Sequence, residues 1–456
     1  MSHSGQNNHI DPRAFGQKLR DHRVAVWDPL ARSFRPIPAA LTPTVVDDKE
    51  WVKVQDDALI VAGAFPKLLA WLQRPENDQL FGAVFAGLTG IEYEAATADP
   101  WKNWGHASIR MDLFWHHGDI KIIEVNCTIP AMQSYSDQIR LAWDASGGLA
   151  ESFTSNEDQL LESLIALYRT HGGRLARPSI IITHRPGDSQ IGELLNLASN
   201  WRAKGLRVSL ATPDELERQG DLWIRDGEPY EIIYRHIFAW RLPSVPWNAL
   251  LQDSASHHIY NPVSAHYECK SFLALLSQVA DSPDLALAAG LNGAETRTIQ
   301  GRVPWSRLIT SADQKDLTEI ANRAQSLVFK RSVGYGGHQV IMGNTWNEHA
   351  TQEKLRALTK ASAQVSPADF LNWIIHNDSS CWIAQDLMSG ARRETEVLTK
   401  GNVEIWNAWY DASIFISTGS YATCGGGVSR IAHHQIVNIG TGGGLAPFVV
   451  KSGRHP

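Results

Sequence analysis

Apolar and polar residues alternate through Ile109 to Asn126 (IRMDLFWHHGDIKIIEVN), and the alternation breaks at a polar turn, His116-His117-Gly118-Asp119. This pattern predicts a β-hairpin. With a loop of His117 to Asp119, His116 pairs with Ile120, and Met111 and Leu113 fall opposite Val125 and Ile123 on an apolar face. Arg110 and Asp112 then fall opposite Asn126 and Glu124 on the other face, which gathers the charge.

Helical spacing before the hairpin covers Ala58–Leu72 and Gln79–Leu88, and after it a helix begins near Ser136 and another spans Ser155–Thr170. Residues 1 to 10 are polar and read as disordered. From residue 177 the texture changes to strand Ser179–Thr183, helix Gln190–Lys204 and strand Leu206–Ala211, then a hairpin of Leu222–Arg225 with Glu231–Ile237. A helix over Ser264–Val279 carries Lys270. Strands Leu327–Lys330 and Gln339–Met342 flank Arg331–His338, a glycine-containing flap. After a buried-type strand Cys381–Leu387, a hairpin of Asn402–Ala408 with Ala412–Thr418 leads into two glycine clusters, Gly425-Gly426-Gly427 and Gly442-Gly443-Gly444.

These elements divide the chain into an N-terminal α/β region, 1–176, a small α/β lobe, 177–262, a flap-bearing segment, 263–380, and a C-terminal segment, 381–456. The fold class expected is mixed α+β and α/β. No apolar run is long enough to span a bilayer and no signal-peptide pattern opens the chain, so the expectation is a soluble cytoplasmic protein without a membrane partner. A net charge of −6 without a basic stripe argues against nucleic acid. The four cysteines, Cys127, Cys269, Cys381 and Cys424, lack metal-ligand spacing and read as reduced thiols.

Opposed Asp112 and Glu124 repel unless a cation lies between them, and hard oxygen ligands suit Mg²⁺. A solvated hairpin face is the competing explanation. Gly334-Tyr335-Gly336-Gly337 after Lys330 can bring backbone amides against phosphate oxygens, or can simply form a tight turn. Lys270 on its helix, taken alone, is as expected of a solvated surface. Gln385 can read an adenine edge or fill a core position, and the planar fork of Arg430 suits a carboxylate, a phosphate or the solvent.

Taken together, Arg110-x-Asp112, Glu124-x-Asn126, Lys270, and Lys330 with its Gly-Tyr-Gly-Gly flap occur in an order that resembles the glutathionylspermidine synthetase-like branch of the ATP-grasp superfamily. In most ATP-grasp enzymes the lysines and flap come first; here the acidic hairpin does, as in the circularly permuted branch. The resemblance spans roughly 100 to 450 and implies an ATP-grasp fold with permuted motif order, in which 177–262 is the pre-ATP-grasp-like lobe, 263–380 the lid and 381–456 the end of the core with a substrate loop. It is confined to the synthetase part, because the chain before the hairpin is too short for the amidase domain of bifunctional members. Ser420 to Pro447 matches only as a glycine-rich arginine loop, so specificity for glutathione or spermidine does not follow.

The resemblance further implies a ligase that consumes ATP and Mg²⁺, joins a carboxylate to an amine through an acylphosphate, and releases ADP and phosphate. Asp112, Glu124 and Asn126 would hold the metal; Lys270, Lys330, Gly334, Tyr335, Gly336, Gly337 and Gln385 would bind the nucleotide; Arg110 and Arg430 would act on the reacting groups. The substrates expected are an amino acid, a peptide or a polyamine, in a chain that can form a homodimer. A general base is not visible, with His106, His116, His117 and His338 candidates by position. The alternatives are a silent ATP-binding protein on this fold, a phosphotransferase that keeps its phosphorylated product, and a metal-dependent hydrolase.

Overall fold

The computed structural model describes residues 10–98, 105–116, 118–148, 153–220, 222–310, 314–334, 339–378, 380–388 and 390–451. The first nine residues, His117, and Tyr335, Gly336, Gly337 and His338 of the flap lie outside the described residues. Among those described, no helix is long and apolar enough to cross a membrane.

Strands from the first and last thirds of the chain meet in one seven-stranded sheet. Its order is Ala391–Thr399, Ala39–Ala40, Gly444–Ala446, Thr423–Ala432, Asn402–Ser417, Ile109–His116 and Asp119–Asn126. The acidic hairpin therefore forms one edge. Its tip closes more tightly than expected: His116 pairs with Asp119 and Trp115 with Ile120, so Leu113 faces Ile122, not Ile123. A bulge beside Asp112 and Leu113 then takes up one residue and restores the expected pairs, Asp112 with Glu124, Met111 with Val125 and Arg110 with Asn126.

Two further expectations in this sheet need correction. Asn402–Ser417 is one unbroken strand of 16 residues, with no turn between Ala408 and Ala412. Asp411, which reads as a turn residue, is instead satisfied inside the sheet by Arg430 directly opposite. Nor do the glycines before Arg430 form a loop; they lie on the strand Thr423–Ala432. Close packing explains them, since a Cβ at Gly426 would come 2.5 Å from the Thr154 carbonyl and one at Gly427 2.5 Å from the Phe448 ring.

Within 177–262 lies a parallel sheet in the order Ile259–Tyr260, Ile232–Arg235, Ile180–Thr183 and Val208–Ala211. Leu222–Arg225 pairs with Glu228–Tyr230, and the expected partner segment leaves for the parallel sheet. The residue pattern explains this switch. All four residues of Ile232–Arg235 are buried, as suits a strand covered on both faces rather than an exposed hairpin arm.

A third sheet, antiparallel, runs Ser306–Ile309, Trp382–Asp386, Leu327–Arg331 and Val340–Met342. Leu327, Phe329, Trp382 and Ala384 pack with Leu355, Phe370 and Ile374 of the helices His349–Thr359 and Pro367–Asn377. Alternation sends Lys330 and Gln385 to the opposite face. The expected helix over Ser264–Val279 is broken at Cys269, which is extended, into Ala265–Glu268 and Lys270–Ala280. Lys270 thus opens a helix instead of riding on its flank.

Candidate active site

The polar face of the seven-stranded sheet is a row of charges whose members come from four strands. Asp112 pairs with Glu124 on one side and Ser413 on the other, while Arg430 pairs with Asp411 on the next strand pair. Asp112 takes Arg110 Nε at 2.7 Å and the Ser413 hydroxyl at 2.9 Å on one oxygen, and Arg430 Nη2 at 2.9 Å on the other. Arg110 also donates from Nη1 to the Ala131 carbonyl at 3.1 Å. Asp411 receives Arg430 Nε on both oxygens, at 3.1 and 3.0 Å.

The two lysines arrive from other elements. Lys270 Nζ lies 3.0 Å from Glu124 Oε1 and donates to the Gly334 carbonyl at 2.9 Å. Its own backbone N–H bonds the Ser332 carbonyl, which clamps the helix start to the end of the Leu327–Arg331 strand. Lys330 Nζ donates to Gln385 Oε1 at 2.7 Å and reaches the Ile123 carbonyl of the hairpin at 3.5 Å. Gln385 is buried, and its amide nitrogen donates to the Ser306 hydroxyl at 3.2 Å. In this arrangement the Gln385 amide fills a satisfied core position and orients Lys330.

A cleft opens between the end of the acidic hairpin and the start of the Lys270 helix, lined by Glu124, Asn126, Glu268, Lys270, Ser332 and Gly334. Asp112, paired with Glu124, links that lining to Arg110 and Arg430, and Lys330 reaches the hairpin at the Ile123 carbonyl. Burial alone would raise the Asp112 carboxyl, but the Arg110 and Arg430 guanidiniums hold it well below the usual carboxylate range. Burial also works against Glu124, and Lys270 outweighs it so that this group too stays ionised. Lys330 is the reverse case: burial pushes its ammonium down to about 8, against the upward pull of Glu124. Burial raises Asp411 to about 6, although Arg430 opposes the change. At neutral pH all three carboxylates are charged.

Which of these groups suit Mg²⁺ follows from what each oxygen already holds. Both Asp112 oxygens carry guanidinium donors. Glu124 binds Lys270 through Oε1, and the buried Nδ2 end of Asn126 has no partner among the described residues. The Glu124 carboxylate beside this cleft suits a cation that takes one or two protein ligands and fills its remaining positions with phosphate oxygens and water, and Asn126 could join it only through its amide oxygen, because Nδ2 is an N–H donor. Among the described residues there is no group of three or more His, Cys, Asp or Glu side chains arranged for a metal.

Other candidates are moved away from chemistry. His106 is fully buried and burial pushes its imidazole down to about 3, which makes it a poor proton acceptor. Burial raises all four thiols, to about 12 for Cys381 and Cys424, so none is a ready nucleophile. Three participants escape a reading of the sequence. Asp411 looks like a turn, Ser413 looks like one polar residue in an apolar strand, and Glu268 looks like a helix-surface acid. Glu268 Oε2 in fact accepts the Cys127 and Thr128 backbone N–H groups, both at 2.8 Å, and so fixes the chain just beyond Asn126. Period-2 alternation around Asp411 and Ser413 was the available clue for the first two.

The chain is similar in structure to a glutathione synthetase-like effector from Globodera pallida, solved in its apo form, with a TM-score of 0.61 over 98% of this chain and 100% of that one at 12% identity. That likeness defines the architecture as a glutathione synthetase-like fold. A candidate gamma-glutamylcysteine synthetase from Methylobacillus flagellatus KT is also similar, with a TM-score of 0.39, 10% identity and coverage of 86% and 88%. No protein-family model and no curated protein matches the chain.

Proposed function

We propose that this chain is an ATP-dependent carboxylate–amine ligase of the ATP-grasp type, in the permuted order of the glutathionylspermidine synthetase-like branch. The observation that carries this reading is the convergence of Lys270, Lys330 and Glu124, from three separate elements, with the Asp112–Arg430 pair beside them. Four cations, Arg110, Arg430, Lys270 and Lys330, face four carboxylates, Asp112, Glu124, Asp411 and Glu268, so the site is close to electrically balanced. A triphosphate entering it needs divalent cations to offset its charge.

In this reading Lys270 and Lys330 hold the phosphates, and each exchanges its present partner for a phosphate oxygen. Glu124 and Asn126 would hold Mg²⁺, with Asp112 joining them by giving up a guanidinium donor, and the bound ion would neutralise charge on the phosphates. A substrate carboxylate oxygen attacks the γ-phosphorus and ADP leaves. The amine then displaces phosphate from the acylphosphate to give the amide. Arg430 steadies the transferring group, and Arg110 keeps Asp112 and the Ala131 carbonyl in place. The substrate class is a small acid and an amine of the amino-acid, peptide or polyamine kind.

The test follows an oxygen atom. With an acid labelled in its carboxylate with ¹⁸O, the reading predicts that one label per turnover appears in inorganic phosphate. Label retained wholly in the acid and amide, or found in AMP, contradicts it.

A further inference from the structure

Asp411 has no place in the sequence motifs, and its surroundings are those of a group built to serve one neighbour. It is fully buried, in the middle of the strand Asn402–Ser417, and faces Arg430 in register. Its carboxylate accepts the Arg430 backbone N–H at 3.2 Å, Nε on both oxygens, and Nη2. Its own carbonyl accepts the Ser429 hydroxyl at 2.8 Å, which ties the preceding residue of the facing strand as well. Nη2 continues to Asp112, so the Nε and Nη2 edge of the guanidinium is fully engaged, while Nη1 makes no hydrogen bond among the described residues. A guanidinium held along one edge has its plane and its remaining nitrogen fixed in direction.

We infer that Asp411 is the positioning residue for Arg430, holding it so that Nη1 is the nitrogen offered to the reacting carboxylate or phosphate. This rests on the ligase reading for what Nη1 meets, though not for how Arg430 is held. Asp112 alone does not suffice: it contacts Arg430 through a single oxygen and shares that oxygen with Arg110. Asp411 supplies the second, two-oxygen anchor, which stays in place if the partners of Asp112 change when metal and nucleotide bind. An amide in place of Asp411 accepts on one atom only and turns an N–H donor towards the guanidinium, so the edge is no longer held.

Asp411→Asn, Arg430→Lys and the double variant test this as a cycle. The expected result is a fall of about 30-fold or more in kcat/KM for the acid in Asp411→Asn, an ATP Kd within about twofold of wild type by calorimetry, and a double variant no worse than Arg430→Lys within about threefold. Losses that multiply, or an unchanged Asp411→Asn, overturn the inference. If Asp411→Asn does not fold, the ¹⁵N signal of the Arg430 Nε–H in ligand-free wild type, assigned by its loss in Arg430→Lys, decides. Slow hydrogen exchange there supports an anchored guanidinium, and fast exchange contradicts it. That measurement stands even if the wild type forms no amide, the outcome that would remove the ligase reading instead.

Discussion

Lys270 Nζ lies 3.0 Å from Glu124 Oε1, and this contact joins the start of a helix to the edge strand of the main sheet. It also holds a cation at the lining of the cleft. Replacing Glu124 by Gln removes the charge with little change in shape. The expected outcome is a loss of turnover of about 100-fold or more, with stability lowered by only about 1 kcal/mol because Glu124 is partly exposed. Steady-state rates and urea unfolding measured on the same preparation check both halves.

Lys330 gives a pH dependence. Its folded pKa, about 8, lies below the ordinary lysine value, so the folded state disfavours the proton that the unfolded chain keeps. The cost of burying the charge is present below about 8 and disappears as pH rises towards the ordinary lysine value, so this group makes stability increase across that window. Nucleotide affinity moves the other way, because the charge that would meet phosphate is lost. Free-enzyme kcat/KM for ATP should show an alkaline limb near 8, and Lys330→Met should weaken ATP binding and remove the Lys330 contribution to the stability profile. Calorimetry and thermal melts from pH 7 to pH 10 measure these effects.

Glu193 provides a second, opposite case. It is fully buried, accepts the Met132 N–H at 2.7 Å and the Ser134 N–H at 3.2 Å, and burial pushes its carboxyl up to about 8. The folded protein therefore holds a proton that the unfolded chain releases above the ordinary Glu pKa. Stability contributed by this group is complete below that ordinary value and is lost as pH rises through about 8. Glu193→Gln should flatten this decline and gain on wild type above pH 8, which melting temperatures across pH 5 to 9 will show.

The acidic hairpin was legible in the sequence because its residues alternate and its turn is polar; even the tighter turn left the Asp112–Glu124 pair intact through a compensating bulge. Lys330 was legible for the same reason, lying on a strand with its apolar neighbours facing away. What could not be read were relations between distant segments. Asp411 lies among Trp409, Tyr410 and Ala412, and only pairing with Arg430 distinguishes a buried ion pair from a turn. The glycines before Arg430 read as a glycine-rich loop, because sequence does not reveal that Thr154 and Phe448 press against that strand. Lys270 was assigned to a helix flank because Cys269 carries no local sign that the helix breaks there.

The packing explanation for those glycines is itself testable. At Gly426 the obstruction is the Thr154 backbone carbonyl, which cannot rotate away as a side chain can. Gly426→Ala should lower stability by about 1–3 kcal/mol, while protein that remains folded keeps the KM values of wild type. Changed KM values with unchanged stability would return this segment to a substrate loop. Urea unfolding combined with kinetics at low temperature makes the distinction.

In the proposed function this site activates a carboxylate by phosphorylation. The most direct measurement incubates the chain with ATP, Mg²⁺ and a panel of carboxylic acids in hydroxylamine, and reads hydroxamate and nucleotide products together. Hydroxamate matched by ADP and phosphate is expected for at least one acid, and it should disappear in Glu124→Gln. Hydroxamate matched by AMP and pyrophosphate, or its persistence at the wild-type rate in Glu124→Gln, would contradict the proposed function.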